Sequence, residues 1–357
     1  MKPLLFDVHL DLSLNAMEYD RDLREPVHEL RKREEGLTDL KARAMGTVAF
    51  PEMRKGNMGL CVATQLAGTM KPGHPVCTWN SPHQAWAETQ GQLAWYRAME
   101  EDGQLRQIRN VEQLEAHLKA WEADPDNEPI GYVLSLEGAD SMITLGHLER
   151  AYEYGLRALG PAHYGKGRYA LGHDQDGPMN DMGKELVREM DRLGMILDVT
   201  HLCDKNFWDA LEIFEGPVWA SHSNCRALVD DVRQFGDDQL KALIDRGAVI
   251  GAAYDAWMMV PGWIKGKTTP QEAGVKIEHA CDHIDHICQL AGNAKHCGIG
   301  SDLDGGFGTE QSPADLDTIA DLQTMTGSLS KRGYSEEDIS GIMSGNFLRV
   351  LRENWGG

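Results

Sequence analysis

The feature that most limits what this chain can fold into is an alternation. Eight short apolar runs, at 4–10, 59–65, 131–136, 156–162, 195–200, 217–221, 248–253 and 297–301, recur between longer stretches that are mostly amphipathic. The runs are rich in Val, Ile, Leu and small residues, as parallel strands buried on both faces require. Between them the spacing becomes helical. MGKELVREMDRLG places Leu186, Met190 and Leu193 on one face and stops at Gly194, and KNFWDALEIF and DDQLKALIDRG behave alike before the next two strands. Eight strands alternating with helices predict a closed α/β architecture, the (β/α)8 TIM barrel. An open doubly wound sheet is the alternative, but its glycine fingerprint is missing after the first strand. The long connection after the second strand carries one long helix in NSPHQAWAETQGQLAWYRAMEEDG, and the tail ending in SGNFLRVLREN is helical. Neither reads as a separate unit, so a single domain over 1–357 is expected.

Charge narrows the partners. The chain carries 35 basic and 56 acidic side chains, a formal charge of −21, on a globular composition. Phosphate backbones and anionic lipid would be repelled, so neither nucleic acid nor a membrane surface is expected as a partner. No stretch approaches the ~18 consecutive apolar residues of a spanning helix. MKPLLFDVHLDLSL breaks its apolar run at Asp7 and His9, too early for a secretion signal, so the fold is expected to start at once in a cytoplasmic protein. Cys61, Cys77, Cys203, Cys225, Cys281, Cys288 and Cys297 are scattered without a CxxC pair, and reduced thiols are expected.

Barrel enzymes build their sites at the C-terminal ends of the strands, and there this sequence concentrates ionisable groups. The first strand ends in His9-x-Asp11, two residues that point the same way in an extended segment. The third ends in Glu137, the fifth in His201, the sixth in His222 and the eighth in Asp302. Any one of these alone is more easily a structural residue. Three imidazoles and three carboxylates from five strands at one rim point instead to a metal site of zinc type. The set is larger than one tetrahedral ion needs; two ions sharing a carboxylate would use it, with a bridging hydroxide as nucleophile. His279, His283 and His286 also share a helical face, but their segment reads as an outer helix, and they are expected in packing or at its surface. Gly165-Lys166-Gly167 lacks the following Ser or Thr of a phosphate cradle, and no GxSxG elbow is present.

Residues 136–157, LEGADSMITLGHLERAYEYGLR, resemble the signature segment of the membrane (renal) dipeptidase family, peptidase family M19, among the amidohydrolase-like metal-dependent hydrolases. Glu-Gly stands near its start and Tyr-x-x-Gly-x-Arg near its end. The opening HxD, the THL and SHSNCRAL stretches, HIDHI, GSDLDGG and the closing GNFLRVL extend the resemblance over nearly the whole chain. It implies a zinc-dependent dipeptidase with a binuclear centre: His9 and Asp11 on one Zn2+, His201 and His222 on the other, Glu137 bridging. It further implies Asp302 as proton shuttle, His163 on the scissile carbonyl, Arg233 on the substrate carboxylate with Arg226 as its rival, and Tyr254 in the pocket. L-Xaa-D-Xaa dipeptides and a homodimer are expected from the same resemblance. The chain departs from the family's usual Asp-Gly-His in having Asp7-Val8-His9, and YGKGRYALGHDQDGPMN after His163 does not match the animal members. The cysteines and lipid-anchor tail of the membrane-attached members are not found. The loop WMMVPGWIKGKTTP reads equally as pocket wall or as rim packing. A related amidohydrolase acting on N-acyl amino acids or cyclic amides, and a binding protein without turnover, are the alternatives.

Overall fold

A computed structural model describes residues 2–69 and 78–356; Cys77 lies outside them. The strands are β1 (Leu5–Leu10), β2 (Met58–Leu66), β3 (Leu105–Gln107), β4 (Ile130–Glu137), β5 (Leu156–Gly160), β6 (Ile196–Asp198), β7 (Val218–Trp219), β8 (Ile250–Ala252) and β9 (Cys297–Ile299). Eight of them pair in the order β7-β6-β5-β4-β2-β1-β9-β8, with every pairing parallel. A parallel bridge between Ala220 and Ile250 joins the two ends of that order and closes the barrel. All eight expected strands are present. The ninth, β3, is short, pairs only with the start of β4, and lies outside the ring. Its buried–exposed–buried pattern over Leu-Arg-Gln gives no apolar run to read.

Alternation along the strands divides the core into two layers. Phe6, Val8, Leu60, Val62, Val133, Ile196 and Trp219 fill the barrel interior. Leu5, Cys61, Ala63, Leu134 and Leu197 pack outward against the helices. The helix Asn346–Trp355 closes the floor, with the Phe347 ring edge-on to Phe6 and Trp219 at 6.2 and 5.8 Å. The expected helices appear as Pro82–Glu101, Asp181–Leu193, Asp204–Ile213 and Asp237–Asp245. Gly194 ends the second of these in a left-handed conformation (φ 68°) that suits glycine at a helix stop. No helix among the described residues is long and apolar enough to cross a membrane.

The upper ends of β6 and β7 are shorter than their apolar runs, for a reason that shapes the rim. Asp198 Oδ1 accepts the backbone N–H groups of Thr200 and Ser221 at 3.1 and 3.0 Å, so a side chain replaces the ladder carbonyl. The chain then turns, and His201 adopts φ 68°. Asp302 (φ 59°) and Asp304 (φ 62°) do the same beyond β9. Non-glycine residues in this region cost on the order of 1–3 kcal/mol and persist only where the surroundings fix them. Asp304 shows how they are fixed: wholly buried, it accepts from the backbone of Thr47 and Val48 and from the Thr47 hydroxyl, with Arg21 3.4 Å away.

Candidate metal centre

Each expected ligand arrives at the same end of the barrel. Glu137 is the last residue of β4, and His201, His222 and Asp302 lie just past β6, β7 and β9. On β1 the pairing register breaks between Asp7 and Leu10. Asp7 Oδ1 accepts from the backbone of His9 (3.2 Å) and of Ser301 (2.9 Å), stapling β1 to the end of β9 where the centre forms. Ser221 enters the interior because Gly251 and Gly300 have no side chains: a Cβ there would lie 2.0 and 1.6 Å from its carbonyl oxygen. Its hydroxyl then meets His222 Nδ1 at 2.9 Å and His9 Nδ1 at 3.4 Å, leaving both Nε2 atoms facing the centre.

Glu137 sits in the middle, and its two oxygens face different partners. Oε1 is 3.0 Å from His201 Nε2 and 3.4 Å from His222 Nε2. Oε2 is 3.8 Å from His9 Nε2 and 3.8 Å from His163 Nε2. His9 Nε2 is also 3.8 Å from Asp11 Oδ2 and from Asp302 Oδ1. Three overlapping ligand groups result: His9, Glu137 and His222; Glu137, His163 and His201; His9, Asp11 and Asp302.

The chemistry of these donors fits cations better than it fits hydrogen bonding. His9 Nε2, Asp11 Oδ1 and Glu137 Oε1 are buried without a hydrogen-bond partner, despite having polar atoms nearby. Such groups are costly unless something else satisfies them. His201 Nε2 and His222 Nε2 face each other at 3.0 Å. Burial, reinforced by Arg233 for His201 and by His9 and then Arg233 for His222, holds both pKa values far below the usual imidazole range. Both are therefore neutral, the form that binds metal. Burial opposes charge on His9 as well, but Glu137, Asp11 and Asp302 outweigh it and raise its pKa to about 10. Burial pushes Glu137 up to about 8 and Asp302 well above the carboxylate range, each aided by the neighbouring acids. A pocket that draws a proton so strongly onto an imidazole is short of positive charge, which divalent ions would supply.

Known proteins share the sequence pattern and the fold of this chain. Residues 2–355 match the sequence profile of the membrane dipeptidases, peptidase family M19. The chain belongs to the M19 family. A dipeptidase of Claviceps purpurea, tcpJ, is 32% identical over 231 residues, 62% of this chain and 51% of that protein. The M19 chain thus spans about half the length of that relative. Two solved structures share the fold over essentially the whole chain. A metallo peptidase from Rhodobacter sphaeroides, bound to a phosphinate mimic of L-Ala-D-Ala, superimposes with a TM-score of 0.78 at 21% identity, covering 99% of this chain and 100% of that one. Dipeptidase AC, an M19 metallo peptidase, gives 0.75 at 23% identity with both chains fully covered.

Other expected residues of this M19 chain fall in unequal places. Arg233 is 3% exposed and donates to the His222 carbonyl at 2.8 Å, whereas Arg226 is held outside by Asp204 at 2.8 and 2.9 Å. Arg233 is the arginine at the site. Tyr254 needs correcting: it is fully buried, its hydroxyl lies 2.9 Å from Met325 Sδ, and it faces the helical layer rather than the pocket. Its neighbour Asp255 is also buried, with Oδ2 accepting from Trp257 Nε1 and Gln311 Nε2. His283 bonds Cys225 and Met259, and His286 bonds Asp237, so that helix carries packing histidines as expected. The loop after β8 buries Trp257 and Met258 in a rim cluster with Ala253.

Two further residues join the site. His173 places Nδ1 3.3 Å from His201 Nδ1, and the Tyr164 ring lies against His163, His173 and His201 at 4.9, 4.6 and 5.2 Å. Both come from the stretch after His163, where only the position of Tyr164 beside an expected site histidine gave a signal.

Proposed function

We propose that this chain is a zinc-dependent dipeptidase acting through a binuclear centre, with L-Xaa-D-Xaa dipeptides as its substrate class. The observation that carries the reading is the split of Glu137, one oxygen toward His201 and His222 and the other toward His9. A carboxylate so placed suits a bridge between two ions, with Asp11 completing one side. When bound, such a pair acidifies a water to serve as nucleophile and polarises the substrate carbonyl.

The remaining work belongs to side chains of differing exposure. The Asp302 and His163 side chains are 16% and 25% exposed, against 2–8% for the five candidate ligands. Of these seven, they are the more exposed. His163 Nε2 donates to the carbonyl oxygen as negative charge develops there. Asp302 takes the proton of the attacking water and returns it to the departing amine. The buried Arg233 fork, fixed by the His222 carbonyl and Ser223, has donors to spare for a substrate carboxylate. The D-configured second residue is supported by the mimic bound to the R. sphaeroides protein.

The carboxylate grip gives the test. Arg233→Met should lower kcat/KM on L-Ala-D-Ala by at least about 30-fold, since unpairing a buried charged contact costs roughly 2–5 kcal/mol. Turnover of the corresponding dipeptide amide, already poor in the native enzyme, should change little. Hydrolysis of acid and amide at equal rates by the native enzyme would remove the dipeptidase reading.

A further inference from the structure

Asp255 has no part in the chemistry above, yet it is held like a binding group. Its backbone is extended (φ −65°, ψ 117°), and it follows Tyr254, which packs outward against Met325. Asp255 lies three residues past β8, at the C-terminal rim where the centre forms. Its side chain is fixed from one side only: Oδ2 accepts from Trp257 Nε1 at 2.5 Å and from Gln311 Nε2 at 3.2 Å. Oδ1 is buried with no hydrogen-bond partner among the described residues, in a residue only 8% exposed. The nearby Lys265 does not fill this vacancy, because its Nζ rests on the Trp257 ring, 3.6 Å from the centroid. The Tyr254 N–H before Asp255 donates to the Ser301 carbonyl at 3.0 Å, which places this stretch next to Asp302 at the rim. Asp255 belongs to none of the three candidate metal groups. A rigid, buried acceptor with one unpaired oxygen is costly to keep without a donor, and at the rim a bound substrate can bring one.

We propose that Asp255 is the subsite for the free α-ammonium group of the substrate. The inference rests on the dipeptidase reading and deepens it: the pocket holds the zwitterion at both ends, the carboxylate on Arg233 and the amine on Asp255. An acylated amino end offers no cation and leaves the buried carboxylate unpaired, so N-acyl amino acids are rejected.

The test compares L-Ala-D-Ala with N-acetyl-L-Ala-D-Ala, using the metal-loaded native enzyme and Asp255→Asn. The native enzyme should prefer the free amine. The variant should raise KM for the free dipeptide by roughly 10–100-fold, the worth of one hydrogen bond to a charged group, with kcat little changed and the acetylated compound unaffected. A misfolded variant would lose both substrates alike, so the ratio is the readout. Asp255→Ser repeats the measurement with a different side chain. An unchanged preference in both variants overturns the subsite and leaves the dipeptidase reading standing. Binding of a phosphinate mimic of L-Ala-D-Ala, free and N-acetylated, separates the two claims. If no dipeptide is hydrolysed but Asp255→Asn still weakens only the free mimic, the subsite stands and the hydrolytic reading falls.

Discussion

On the proposed binuclear reading, Glu137→Gln should cost one of two ions and lower kcat/KM by well over ~100-fold, the upper range for losing a partner that merely orients a metal ligand. The expectation follows from position. Oε1 and Oε2 face opposite sets of imidazoles, and an amide offers one oxygen, no charge and an N–H that would point at a cation. The substitution preserves shape, and the carboxyl it removes is one that burial already pushes up to about 8. The metal-free protein should therefore melt no lower than the native chain in chelator. Elemental analysis beside turnover reads the effect. Two ions retained per chain, with activity near native, would show that Glu137 does not bridge.

Asp302→Asn should leave the metal content intact and reduce kcat by about 10²–10⁴-fold, the usual contribution of a positioned proton carrier. Asp302 is the carboxylate with the more open face, and its left-handed backbone (φ 59°) aims it back at His9 after the chain has left β9. Asparagine keeps the size and one acceptor but cannot carry the proton. Undiminished hydrolysis would refute the shuttle. Loss of an ion would show instead that Asp302 acts as a ligand with His9 and Asp11, a group the distances also allow.

Much of this was legible before any coordinates. Buried parallel strands are near-continuous apolar runs, so the eight barrel strands announce themselves, and the residues closing them fall at one rim by the logic of the fold. What the sequence could not convey came from three-dimensional coincidence. The strand β3 is too short and too polar to show a period. Tyr254 and Asp255 lie past the end of β8, where strand alternation no longer says which side chain meets the pocket. Arg226 stands seven residues before Arg233 as its rival; the seating of Arg226 on Asp204 and of Arg233 on the His222 carbonyl separates them. His173 reaches His201 from a loop without periodicity, and the role of Ser221 depends on the close strand approach that Gly251 and Gly300 permit.

The most direct test of the central claim is reconstitution: strip the protein with a chelator, titrate zinc back, and follow hydrolysis of L-Ala-D-Ala against bound metal. The account predicts no turnover without metal and full recovery at about two ions per chain, as a two-cation mechanism requires. Full activity at one ion, or in the chelated protein, would contradict it.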